Sequence, residues 1–349
     1  MSVSTRRPMF TLLAAALALA ACTAVPDAPP RFTLVAVKAA AAPNLAAGAT
    51  DPVWAQAPAF KVTLNGGTNF AGGKGETTGT LKAAYFGDTV YFLVQYQDPT
   101  DSRRRGPYQK QADGSWKKLK DPADKGGDDN VYYEDKWAMI WPIGNSIPNF
   151  DKRGCAVACH LGEGKPYGNK YTREAGHLGD IWHMKGSRTA AYGLVDDQYL
   201  DHTRYDPKTN PNAGRRNEPG GPDYTGVPME NGLPKFMARD ARPLNAGGTP
   251  YIRDGEQVPF DDSRFKAGDE VASYVVHQLK GDRADVRVNY SWKDGVHTSM
   301  VARKLVTGSK FDVQFSDLGG KYLFGFAAFD NAQVQHAVMD EPLTLVFAK

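Results

Sequence analysis

Short runs in which apolar and polar residues alternate lie towards both ends of this chain, with more than a hundred residues of little periodicity between them. Alternation is the mark of a strand with one face buried, so this spacing limits the fold more than any other feature. Gly79 to Asp98, "GTLKAAYFGDTVYFLVQYQD", is two aromatic and β-branched runs split by Gly87-Asp88, a hairpin signal. "YYEDKWAMIWPI" (Tyr132 to Ile143) is a further buried-strand candidate. In the last third, "EVASYVVHQL", "RADVRVNYSW", "HTSMVARKL", "KFDVQFSDL", "KYLFGFAAFD" and "PLTLVFA" follow one another across Gly- and Asp-rich turns. In the second of these, Ala284, Val286, Val288 and Tyr290 alternate with Asp285, Arg287 and Asn289. No helical stripe is sustained in these regions. The expected architecture is all-β, an antiparallel β-sandwich whose sheets come from the two ends of the chain.

Between them, from about Gly144 to Asp269, the sequence is rich in Gly, Pro, Asn and Asp, as in "DPKTNPNAGRRNEPGGPDYTGVP" (Asp206 to Pro228). So long a stretch of loops and short helices is expected to carry function, and a cofactor would hold it together without a core. The expected organisation is a leader over residues 1–21, an Ala/Pro-rich tether over 22–50, and a sandwich over 51–349 with its insertion at about 144–269.

The leader has Arg6 and Arg7 followed by an apolar run from Met9 to about Ala21, too short to span a bilayer. It ends in Leu19-Ala20-Ala21-Cys22, similar to the lipobox at which bacterial lipoproteins are cleaved and lipidated on the cysteine. The alternative is an ordinary secretory signal with Cys22 incidental. The lipobox reading predicts an exported protein on the periplasmic side of a bacterial membrane, and Thr23, not Asp, suggests retention at the inner membrane. Without Arg6 and Arg7 the chain has 40 basic residues against 39 acidic, which gives no basic face for nucleic acid.

Only two other cysteines remain, both in "GCAVACHLGEG" (Gly154 to Gly164). Covalent haem attachment needs two thiols and an adjacent imidazole. Cys155, Cys159 and His160 supply them as Cys-x-x-x-Cys-His, one residue longer than the usual spacing. On a helical turn Cys155 and Cys159 would share a face. A Cys155–Cys159 disulfide would leave His160 unexplained, and a zinc site would want a fourth ligand and a tighter cysteine pair.

With "DPVWAQAP", "YYEDKWAMIWP", "GCAVACH", "GDIWHMKGSR", "DDQY", "ARKLVTG", "DVQFSDL" and "YLFGFAAFDNAQVQH", the chain from about Asp51 to Lys349 resembles the haem-binding domain of ethylbenzene dehydrogenase gamma subunits and their c-type cytochrome relatives. The resemblance implies a β-sandwich that binds one haem at the end of its sheets for electron transfer. Gamma subunits bind a b-type haem through methionine and lysine and lack the paired cysteines, so the iron ligands here are argued afresh.

His160 is the expected proximal ligand. For the other side of the iron His336 is favoured, in a C-terminal position resembling the gamma subunit's lysine, with Met184, His183 and His177 as alternatives. Asp180 reads as the N-cap of a helix carrying Trp182, His183, Met184, Lys185 and Arg188. Trp182 is expected against the ring, and Lys185 and Arg188 near the propionates. Asp196 and Asp197 receive no role, turn cap and cation ligand both being open. The implied function is that of a membrane-tethered cytochrome with one haem c, exchanging electrons with redox proteins such as a molybdoenzyme or respiratory complex. Two rivals are a haem-free carbohydrate-binding module, suggested by "DPVWAQAPAF" before an aromatic hairpin, and a haem enzyme or sensor with an open iron position.

Overall fold

The first strand, β1 (Thr33–Lys38), lies in the middle of the principal sheet and corrects the expectation of a tether over residues 22–50. It pairs in parallel with Leu343–Phe347 on one side and with Thr77–Phe86 on the other, and Leu34 and Ala36 are fully buried. A sequence of alanines and valines reads as a linker by composition, yet small and β-branched residues also suit a central strand packed on both faces. The computed structural model describes residues 1, 32–158 and 170–349. Cys22, Cys159 and His160 lie outside the described residues.

After β1 come β2 (Phe60–Leu64), β3 (Thr77–Phe86), β4 (Thr89–Gln97), β5 (Lys136–Pro142), β6 (Gly179–Lys185), β7 (Asp196–Leu200) and β8 (Arg215–Asn217). The last third adds β9 (Arg287–Lys293), β10 (Val296–Lys304), β11 (Tyr322–Phe329), β12 (Ala337–Val338) and β13 (Leu343–Phe347). Their order is β8-β7-β6-β5-β11-β13-β1-β3-β4-β10-β9, with β2 beside β3 and β12 beside β11. Gly87, at φ 57°, makes the turn between β3 and β4 that its sequence predicts.

This strand path folds over on itself. Phe92 of β4 lies 5.9 Å from Trp141 of β5 and 5.7 Å from Trp182 of β6, ring to ring, although five strands separate β4 from β6 in pairing order. Trp137 Nε1 of β5 donates to Ser299 Oγ of β10 at 3.0 Å, tying the two layers together. The core between them is aromatic: Trp137, Trp141, Trp182, Phe92, Phe315 and Phe324 are all essentially inaccessible. The sandwich is thus as expected, with β5 and β11 forming much of one layer.

Three sequence expectations shift. Asp180 to Lys185 is strand β6, not a helix, because it fits between β5 and β7 and buries residues on both faces. The run "KFDVQFSDL" forms no strand; it is an irregular segment whose Phe315 plugs the core against Trp141 at 5.3 Å. The expected coreless insertion in fact contributes β6, β7 and β8 to the sheet. Its remainder builds a second small core in which Trp116 meets Phe260 at 5.1 Å and Phe265 at 5.7 Å, joined by Ile252, Met237 and Val275. Among the described residues, no helix is long and apolar enough to cross a membrane.

One buried ion cluster links β4, β5 and β10. His297 Nε2 lies 3.2 Å from Asp135 Oδ2 and 3.4 Å from Asp98 Oδ2, and the ring stacks between Tyr96 (4.8 Å) and Tyr290 (5.3 Å). Burial would lower the imidazole pKa, but the two carboxylates outweigh it and raise it to about 9. Burial likewise raises Asp135 to about 7. The charged His297 therefore contributes stability that is complete below its unfolded pKa near 6.5 and lost as pH rises through about 9. That contribution is on the order of 3 kcal/mol. Thermal melting between pH 6 and 10 should show a falling Tm, and His297→Gln should melt lower but with a flatter profile; an equally steep profile in the variant would remove His297 from the account.

Candidate functional site

Strands β11, β5 and β6 have one face in the sandwich core and the other against a cavity of about 740 Å3, a size suited to a cofactor. Strand alternation decides which side chains reach it. Trp137, Met139 and Trp141 of β5 point to the core side, so Lys136, Ala138 and Ile140 face the cavity; on β6, Trp182 and Met184 point inward, so Ile181, His183 and Lys185 face outward. On β11 the same face carries Gly325, Ala327 and Phe329. Small residues on two neighbouring strands make room above the sheet, and Ile140, Ile181 and Val338 give it an apolar bed.

Cys155 reaches this cavity from a short turn, Gly154–Val157. It is buried, and Gly325 is the residue that admits it: a Cβ added there would stand 3.1 Å from Cys155 Cβ and 3.5 Å from its sulfur. Ala158, the residue before Cys159, is fully buried.

His183 and His336 both line the cavity, on either side of Phe329, whose ring is 5.8 Å from the first and 4.8 Å from the second. His183 is buried, and burial reinforced by Lys185 and Lys136 holds its pKa well below the ordinary value, so the ring is neutral. Its Nε2 is buried without a hydrogen-bond partner. His336 sits just before β12, and its Nδ1 donates to Val334 O at 2.7 Å, which places the lone pair of the neutral ring on Nε2.

The polar part of the lining is of one sign. Among the described residues, Arg105, Lys136, Lys170, Lys185, Arg188 and Arg215 line the cavity and no carboxylate does. Carboxylates stand behind: Lys185 pairs with Asp196 and, at 2.8 Å, with Asp223; Arg188 pairs with Glu134 and, at 3.1 Å, with Asp223; Arg283 pairs with Asp196. Glu134 is fully buried, and although burial alone would raise its pKa, Arg188 and Arg105 hold it low and charged. Lys136 has no such partner. Its ammonium donates to Gln333 O at 2.8 Å and lies over the Phe329 and Tyr133 rings at 4.1 and 4.7 Å, while burial and the cations Arg188 and Lys185 push its pKa well down. Basic side chains facing a void, with carboxylates behind Lys185 and Arg188, make a pocket for an anionic group on a largely apolar body.

Of the residues expected around a cofactor, Cys155, His183, Lys185, Arg188 and His336 share this cavity. Trp182 and Met184 do not, because the strand that replaces the expected helix turns both into the core, and His177 lies outside the lining. The sequence reading missed Lys136, Arg105 and Arg215. A lysine directly before "WAMIWP" was the available signal, since a charge beginning a buried strand must face something polar.

A family model described as ethylbenzene dehydrogenase matches residues 51–340. This chain belongs to that family. No curated protein matches it at the level of sequence. Among solved structures it is similar to a carbohydrate binding module of family 9 from Caldicellulosiruptor kristjanssonii in complex with cellotriose. That match has a TM-score of 0.33 and 10% identity over 91% of this chain and 95% of the other. The same module in complex with glucose gives a TM-score of 0.34 and 9% identity over 90% and 95%. At those scores the likeness carries no argument beyond the sandwich already described. The match to the ethylbenzene dehydrogenase family takes in every described cavity residue named above.

Proposed function

We propose that this ethylbenzene dehydrogenase family member is a c-type cytochrome that holds one haem in the cavity over β11, β5 and β6 and passes single electrons between redox proteins. The observation that carries this reading is the convergence, on one cavity, of Cys155 from the Cys-x-x-x-Cys-His motif, two histidines and six basic side chains, with no carboxylate among the described lining residues. Each part fits such a group: Cys155 for one thioether, the apolar bed for the ring, Lys185 and Arg188 for propionates, and an imidazole nitrogen for iron. Cys159 and His160 complete the attachment as second thiol and proximal ligand. A haem held there supplies reversible one-electron exchange at its iron.

The distal ligand assigned here is His336, because the Val334 carbonyl fixes its tautomer and ring orientation. His183 is the second reading, favoured by its buried and unpartnered Nε2. The same proposal makes the protein exported and lipid-anchored at Cys22, with a molybdoenzyme or respiratory complex as its redox partner. A sugar-binding role would use exposed tryptophans as stacking platforms, but five of the six are buried and the sixth, Trp292, is half-buried and donates to Asp98 O at 2.9 Å. Among the described residues no pairing of general acid and base stands beside the two histidines, which ranks electron transfer above a haem enzyme.

Expression with a haem-attachment apparatus should give a red protein whose Soret absorbance stays with the polypeptide through acid-acetone extraction. In Cys155→Ala/Cys159→Ala the colour should be extracted completely. A colourless protein, or colour that the double variant retains, would overturn the proposal.

A further inference from the structure

The opposite face of the strands that floor the cavity carries a second feature. Asp196 and Asp197 of β7 are neighbours, and strand alternation sends them to opposite sides: Asp196 to Lys185 on the cavity side, Asp197 inward beside Trp182. Around Asp197 gather Asp180 of β6, Glu218 just after β8, Asp285 just before β9, and Asp312 of the irregular segment ahead of β11. Oxygens of Asp180, Asp197 and Asp312 lie within 4.8 Å of one another, and all three side chains are completely buried. The cationic side chain among them is Arg303, with Nη2 2.9 Å from Asp312 Oδ2 and 3.7 Å from Asp180 Oδ2.

The hydrogen bonds show which oxygens are left over. Asp180 Oδ2 accepts from Val313 N at 2.9 Å and Trp182 Nε1 at 3.1 Å, and Asp312 Oδ2 accepts from Thr307 Oγ1. Asp180 Oδ1, Asp312 Oδ1, Asp285 Oδ1, both oxygens of Asp197 and both of Glu218 face no N–H or hydroxyl donor, and their close polar neighbours are one another's carboxyl groups. Asp197 is the decisive member, being wholly buried with no N–H or hydroxyl donor on either oxygen and carboxyl groups as its close polar neighbours. One guanidinium does not balance five carboxylates, and burying unpaired charge is among the costliest things a fold can do. The Asp98–Asp135–His297 cluster differs here, since its imidazole is itself the counter-charge.

We propose that Asp180, Asp197, Glu218, Asp285 and Asp312 form a binding site for a calcium-sized divalent cation within the sandwich. Asp180, Asp197 and Asp312 bring carboxylate oxygens within 4.8 Å of one another, with Glu218 and Asp285 beside them; this all-oxygen set suits calcium, whereas magnesium keeps several waters and uses one or two carboxylates, and zinc prefers nitrogen and sulfur. The cation joins β6, β7 and the segments flanking β8, β9 and β11, and so braces the sheet from behind the cavity floor.

The test uses the full-length protein, first stripped with a chelator. Calcium at about 100 times its Kd should raise Tm by about 5 °C, with magnesium far less effective. Terbium should bind in calcium's place and luminesce by energy transfer from Trp182, whose indole bonds to Asp180, and calcium should quench that signal by displacement. Asp197→Asn should lose both responses. Glu218→Gln, outside the paired strands, gives the same readout should the first variant fail to fold. No response in the stripped parent, or a full response in the variants, overturns the site.

Discussion

His336→Ala should turn the reduced protein from one that ignores carbon monoxide into one that binds it. In the proposed cytochrome His160 and His336 hold iron from opposite sides, so the parent leaves no position for an added ligand. Alanine at 336 opens one, and a carbon monoxide difference spectrum should go from none to near-stoichiometric. The fold should persist, since His336 is only half-buried and its ring bonds to a carbonyl two residues away. His183→Ala is the companion variant: its ring lies on the same cavity but on β6, beyond Phe329. If His336→Ala keeps a six-coordinate spectrum and refuses carbon monoxide while His183→Ala accepts it, the ligand is His183 and the assignment made here fails.

Trp141→Ala should cost about 3–5 kcal/mol of folding stability, the range for emptying a buried aromatic site. Trp141 is completely inaccessible and touches four rings: Phe324 stacked at 4.4 Å, Trp182 at 5.1 Å, Phe315 at 5.3 Å and Phe92 at 5.9 Å. Those partners come from both layers and from the irregular segment, so none can collapse into the void without moving a strand. The indole nitrogen makes no hydrogen bond, so the loss is one of packing and Trp141→Phe should recover much of it. Urea denaturation measures this directly, and a loss below about 1 kcal/mol would mean that the two layers are less tightly interlocked than these ring distances imply.

Much of the sandwich was legible because strands with one face in a core must alternate, and the Gly87-Asp88 turn and the β9 pattern of Val286, Val288 and Tyr290 say so residue by residue. Where both faces are covered the alternation disappears. That is why β6, with a core on one side and a cavity on the other, read as a helix, and why β1, sunk between two parallel neighbours, read as a linker. The candidate site was half legible. Cysteine spacing named Cys155 and the family resemblance named His336; Lys185 and Arg188 also line the cavity, although the helix expected to carry them is strand β6 and the turn after it. Lys136, Arg105 and Asp197 were not found, because their importance comes from which side of a strand they occupy and which distant chain segment meets them there.

The parallel pairing of β1 with β13 has a consequence for how the molecule is made. Thr33 stands opposite Thr344, partners separated by more than 300 residues, and β13 is what links β1 to β11. The central sheet therefore cannot close until β13 is available to pair. Contacts of such long sequence separation slow folding, because the entropy of the intervening loop is lost before the pairing is gained. Until β13 is in place the edges of β1 and β11 stay unpaired with it, and in the proposed cytochrome Cys155 would remain within reach of the haem-attachment apparatus until that strand docks.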